Sequence, residues 1–235
     1  KIQCYGPDSY RVLQQHMHVA QIALQVSASL TSTNAKHAAD AHQFCTIAEK
    51  HWLAAKYISA VTCSPSAPHL LSINLGLAQA FRNSQQLHKA LDLLLAMYTA
   101  ESAREQMHPE KKLLVTQNLS RAYEEVAEAE QKPELAVEYI GKAVALFRET
   151  MYLETMLNGG IDAPKMAQMS EELKAMRRRE VEMGLNQAKH RQQTEAVRKA
   201  EEQQSWLDSA TLNDDVGGGG KKSQQQKKKK KKGKK

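Results

Sequence analysis

Aromatic residues make up only 5% of this 235-residue chain, and cysteine occurs three times. Cys4, Cys45 and Cys63 are too few and too scattered for a disulfide framework or a four-ligand thiolate site. That cysteine usage predicts a reducing compartment, cytosolic or nuclear. No apolar run reaches the roughly 18 residues that a membrane helix needs, and no signal-peptide pattern is visible. No membrane contact is expected. Glycine is sparse: four of the eleven are the consecutive residues 217–220. Period-2 runs of Val, Ile and Thr are lacking too, which argues against sheet. What remains is rich in Leu, Ala and Gln, all good helix formers. The predicted fold class is all-α.

Acidic residues are missing from one stretch. Residues 221–235 hold ten lysines and no Asp or Glu: Lys221, Lys222, Lys227, Lys228, Lys229, Lys230, Lys231, Lys232, Lys234 and Lys235. The chain nets +7, so without those ten charges residues 1–220 stand at −3. The body is mildly acidic and the basicity belongs to a tail. A basic, nucleic-acid-binding body is thereby excluded. The tail itself suits electrostatic tethering to a polyanion such as acidic tubulin tails, RNA or anionic lipid. It equally suits a solvated segment that adds solubility. No aromatic residue is interleaved in it, which argues against base stacking.

The organising stretch is 71–104. Leu77, Ala78 and Phe81 are followed by a polar break at 83–86 and then by Ala90, Leu94 and Met97. That is the spacing of a helix–turn–helix unit of about 34 residues, the tetratricopeptide type. Small residues at Ala78 and Ala90 let two antiparallel helices approach, and the larger ones fill the seam. Leu119, Ser120 and Tyr123, then Ala136, Ile140 and Ala143, repeat the pattern. Ala41, Cys45 and Ala48, continued by Trp52, give a degenerate version earlier in the chain.

In chain order, a turn at 5–9 leads into a first helix to about residue 29, with Val12, His16, Val19, Ala20, Ala23 and Val26 as its buried stripe. A turn at 31–34 precedes a second helix over about 35–59. After the proline-containing break at 64–68, helices are predicted over about 69–83, 86–107, 109–131 and 133–152. Asn158-Gly159-Gly160 stops the last of these. A long element over about 162–208 follows, with Met166, Met169, Leu173, Met176, Val181 and Leu185 as its apolar stripe. Its first half should cap the last repeat, and its polar second half should project or lie along a partner. The organisation is thus an α-solenoid of about three hairpins (1–160), a capping and projecting helix (161–212) and a disordered Gly/Lys-rich tail (213–235). The start at Lys1, without Met and in a turn-like Tyr5-Gly6-Pro7, suggests that something lies upstream.

Nothing in the chain resembles a catalytic constellation or a phosphate-binding loop. His16, His18, His37, His42 and His51 sit on the first two helices, but a metal site needs three or four convergent ligands. They read as surface or packing histidines. The methionine stripe of the last helix reads as core more readily than as a pliable docking groove. No enzyme activity and no cofactor are expected. Stacked hairpins instead make a concave surface lined by the first helix of each pair. Asn74, Gln79 and Arg82 on one repeat, and Gln117, Asn118 and Arg121 on the next, are the candidates to bind an extended or helical peptide.

Local motifs suggest a family. Tyr5-Gly6-Pro7-Asp8-Ser9-Tyr10-Arg11, His18-Val19-Ala20 thirteen residues after the tyrosine, and Ala48-Glu49-Lys50-His51-Trp52 together resemble a segment of the zinc finger MYND domain-containing protein 12 family. The stretch from Pro109, with its Tyr123 repeat, resembles that family's last repeat. The similarity covers roughly 5–147. It implies a ciliary or flagellar protein of the cytoplasm and cytoskeleton, seated in the axoneme beside another tetratricopeptide protein and tethering inner-arm dynein components to the doublet microtubule. The family's zinc finger needs more Cys and His ligands than this chain offers, so that module is absent or lies upstream of Lys1. The long last helix and the lysine tail also exceed the family pattern. The expected function is a non-enzymatic scaffold; the alternative is a cytosolic or nuclear adaptor whose lysine tail contacts RNA.

Overall fold

The computed structural model describes residues 8–33, 38–63, 69–103, 108–159 and 163–217. Among them are seven α-helices and no strand. They are α1 (Asp8–Thr33), α2 (Ala38–Thr62), α3 (His69–Asn83), α4 (Leu87–Ser102), α5 (Pro109–Ala129), α6 (Pro133–Leu157) and α7 (Ala163–Gly217). The chain divides into two compact units, Lys1–Gly184 and Leu185–Lys235.

In the first unit each of the first five helices packs on the next, and α1 also meets α3 while α3 meets α5. The prolines at 109 and 133 open α5 and α6, where the missing N–H has no intrahelical partner to lose. Between α3 and α4 the chain reverses without glycine. Gln85 takes φ 62°, its N–H donates to Arg82 O at 3.0 Å, and Gln86 N–H donates to Phe81 O at 2.8 Å. This is the paired-bond helix stop usually built on glycine. At the end of α6, Asn158 N–H donates to Glu154 O and Gly159 adopts φ +63°, as the Asn-Gly pair predicts.

The core forms two apolar clusters. One joins α1, α2 and α3 through Leu13, Ala20, Ala48, Trp52, Ile73 and Leu77. The other joins α4 to α7 through Leu94, Leu119, Tyr123, Ile140, Val144 and Met176. All the repeat-defining positions, from Leu77 to Ala143, are buried except Met97, which is half-buried. A close approach lies at a residue that the spacing did not single out. A Cβ on Gly76 of α3 would stand 2.3 Å from the Trp52 indole of α2, so glycine is what leaves room for the ring there.

Two stripes and one helix end differ from expectation. On α1 the buried face is Leu13, Ala20, Ala23 and Ser27, while Val12 and Val19 are exposed. The apolar arc of α1 is wider than one face, and its neighbours cover only one side of it, about 100° round from Val12. On α7, Met169 and Met176 are buried, and Leu173 and Met183 pack on the second cluster, but Val181 and Leu185 are exposed. Five residues from Met176, Val181 falls about 140° off the stripe. On α6 the helix continues to Leu157, beyond the expected 152, because Leu153 and Glu154 are buried in the next turn.

Other boundaries shift. The turn assigned to 31–34 is helical through Thr33, and α4 ends at Ser102. In the second unit the helix runs to Gly217, five residues into the segment that composition assigned to the tail. Its exposed faces carry same-helix ion pairs, Glu195 with Lys199 at 3.1 Å and Arg198 with Glu202 at 3.7 Å. Such pairs support a helix that is polar all round. The turn at 5–7, the break at 64–68, Cys4, His37 and every tail lysine lie outside the described residues.

Candidate interaction surface

Two clefts lie within the first unit. The larger, about 780 Å³, is walled by Ser27 and Ala28 of α1, Ala41 and His42 of α2, Gln79 and Arg82 of α3, and Glu125 and Glu128 of α5. The smaller, about 410 Å³, lies between α5, α6 and the start of α7, with Gln117, Arg121, Glu124, Thr150, Glu154 and Arg179 among its lining.

The six groove candidates separate on this surface. Gln79 and Arg82 line the larger cleft, and Gln117 and Arg121 line the smaller. Asn74 and Asn118 line neither. The Asn74 amide oxygen is buried without a hydrogen-bond partner, and Asn118 turns back to donate to Leu114 O at 2.8 Å.

Arg82 does more than face solvent. Its Nε–H donates to Glu125 Oε2 at 2.8 Å, a second guanidinium nitrogen pairs with Glu125 Oε1, and a third donates to Gln79 Oε1 at 3.3 Å. Gln79 in turn donates to Asn83 Oδ1 at 2.8 Å. The two-pronged pair bridges α3 and α5 across two hairpins, a geometry arginine supplies and lysine does not. Spacing marked Arg82 as a ligand-binding residue; the fold makes it first a tie between α3 and α5.

The smaller cleft is pinned in the same way. Arg179 of α7 pairs with Glu124 and, at 3.2 Å, with Glu128, both of α5. Lys165 of α7 donates to Glu154 Oε2 at 2.9 Å, and Glu154 also accepts from Asn158 at 2.8 Å and from Gln117 at 3.4 Å. Burial raises the Glu124 carboxyl above its ordinary value; Arg179 opposes this, while Glu128 and Glu125 add to it. Thr150 Oγ1 is buried at the wall without a partner. Sequence reading missed Glu124, Glu125 and Glu154, because a glutamate on a helix shows no sign of what it faces until its neighbour is placed.

The thiols and histidines resolve as well. Cys45 is buried with its sulfur 3.0 Å from Ser27 Oγ, and Cys63 lies 3.3 Å from Thr62 Oγ1; both are free. His16 and His51 meet across α1 and α2. Among the described residues no group of three or more His, Cys, Asp or Glu is placed to hold a metal ion, and no helix is long and apolar enough to cross a membrane. No known protein family, curated protein or solved structure matches this chain.

Proposed function

We propose that this chain is a non-enzymatic scaffold built on a tetratricopeptide-type solenoid, three hairpins formed by α1–α2, α3–α4 and α5–α6. The observation that carries the reading is the neighbour order. The first helices of successive hairpins touch, α1 to α3 and α3 to α5, with small residues at the repeat positions buried between paired helices. Repeats stacked this way offer a concave face lined by their first helices; the larger cleft, with α3 and α5 residues among its lining, supports the reading. The chemistry of that face suits a peptide rather than a small substrate. Its amides and ion-paired side chains present donors and acceptors over several turns of helix, in place of a closed apolar pocket.

The family resemblance of 5–147 supplies the setting. The scaffold works in the ciliary axoneme, where it helps to tether inner-arm dynein components to the doublet microtubule, beside another tetratricopeptide protein. The tail lysines add electrostatic contact with acidic tubulin tails. Proximity labelling in ciliated cells tests this: axonemal dynein components should dominate the neighbourhood. A neighbourhood of nuclear RNA-binding proteins would overturn it in favour of the RNA adaptor. Removing residues 217–235 should weaken microtubule co-sedimentation at low salt, and unchanged co-sedimentation would remove the tail from the proposal.

A further inference from the structure

One contact joins the first two helices through titratable groups. His16 of α1 and His51 of α2 face each other with Nδ1 to Nδ1 at 2.9 Å. Their rings are tilted by 42°, with centroids 5.0 Å apart, and both are half-buried. Two imidazole nitrogens at this separation share one proton, one ring donating through Nδ1–H and the other accepting. The pair tolerates no charge or one positive charge. It does not tolerate two, because both nitrogens would then carry hydrogens aimed at each other.

The surroundings sharpen this. Leu13 and Ala20 on α1 and Ala48, Trp52 and Ala55 on α2 belong to one apolar cluster, so charge repulsion here is less screened than in water. The charged group that α2 brings to bear on His16 is His51, and burial together with that neighbour lowers the His16 pKa below its ordinary 6.5. Glu49 of α2 instead accepts a hydrogen bond from Gln86 at 3.0 Å. On α3, the other helix that meets α1, His69 lies against Tyr10 with ring centroids 6.2 Å apart, nearer the start of α1. His18 on α1 is exposed.

We propose that His16 and His51 form a proton-operated clasp: a second proton on the pair loosens α1 from α2. Release uncovers Leu13, Ala20 and Trp52. It also reshapes the larger cleft, one wall of which is Ser27 and Ala28 of α1. The sign follows from the lowered His16 pKa. The contribution is intact above 6.5 and is lost progressively as the pH falls below it. The clasp does not depend on the scaffold reading.

Hydrogen exchange of the full chain tests it, read at about pH 7.5 and about pH 5 and corrected for intrinsic exchange rates. Protection of α1 should fall by about tenfold more than that of α5 and α6. The double variant His16→Gln with His51→Gln keeps a neutral donor and acceptor, and should abolish that difference. Equal loss in α1 and α5, or an α1-specific loss that persists in the double variant, would overturn the clasp. Should the variant not fold, imidazole nitrogen NMR of the wild-type chain decides. A His16 midpoint below 6.5 with one shared Nδ1–H is expected; a midpoint at or above it, with neither ring protonated at Nδ1, refutes the clasp.

Discussion

The two apolar clusters fill the space between helices in opposite ways. Around Trp52 the fillers are mostly small, with Ala20, Ala23, Ala48, Ala55, Ala80 and Ala90, and a glycine lets the indole lie against α3. Around Tyr123 they are mostly large, with Leu91, Leu94, Leu119, Val126, Ile140 and Val144. The large-residue region also carries ion pairs between helices: Arg82 with Glu125, Arg179 with Glu124, and Lys112 with Glu149 at 2.6 Å. Small side chains bring backbones close, so fit depends on the absence of atoms. Large side chains hold helices further apart, so fit depends on their volume, and oriented ion pairs set the register. The first region should therefore fail by overpacking and the second by cavity formation.

The largest expected effect is in the second region. Ile140 is fully buried, so Ile140→Ala should destabilise by about 2–5 kcal/mol, read as a lower midpoint in urea with the slope retained. In the first region Gly76→Ala should destabilise by about 1–3 kcal/mol through its clash with Trp52, offset by about 1 kcal/mol of better helix propensity. Thermal unfolding that finds the variant more stable would mean that the indole does not lie there. Tyr98 donates to Glu149 Oε2 at 2.7 Å, and burial first, then this bond, pushes its pKa up to about 12. The raised value means that its contribution is full below pH 10.0 and is lost as the pH climbs toward about 12. Ultraviolet titration should show one tyrosine ionising late, and Tyr98→Phe should remove that phase. Gln85→Gly should stabilise by up to about 1 kcal/mol, because glycine holds positive φ without strain. The smallest effect belongs to the exposed Lys142–Glu138 pair: Lys142→Ala should move stability by less than about 0.5 kcal/mol.

Helix content, the prolines that open α5 and α6, the Asn-Gly stop after α6 and the burial of Leu77, Ala78, Phe81, Ala90 and Leu94 were readable beforehand. Each depends on neighbours a few residues away, through propensity, capping or the 3.6-residue period. The register of α1 was not readable, because its apolar arc is wide enough to offer two faces and only its neighbours choose between them. Gly76 was passed over because its reason is an indole 24 residues earlier in the chain. The candidate surface divides the same way. Gln79, Arg82, Gln117 and Arg121 could be placed on first helices by period alone. That Arg82 is committed to Glu125, 43 residues away, and that Asn118 folds back on its own helix, could not.

Local sequence thus determined which segments are helical, where most of them stop and which positions lie within hairpins. Tertiary structure alone decided which face of α1 is covered, which glutamates tie distant helices together, and that His16 and His51 stand Nδ1 to Nδ1. The physical reason is range. Propensity and periodicity act within a few turns of one helix, whereas burial, ion pairing and proton sharing exist only once distant segments stand side by side.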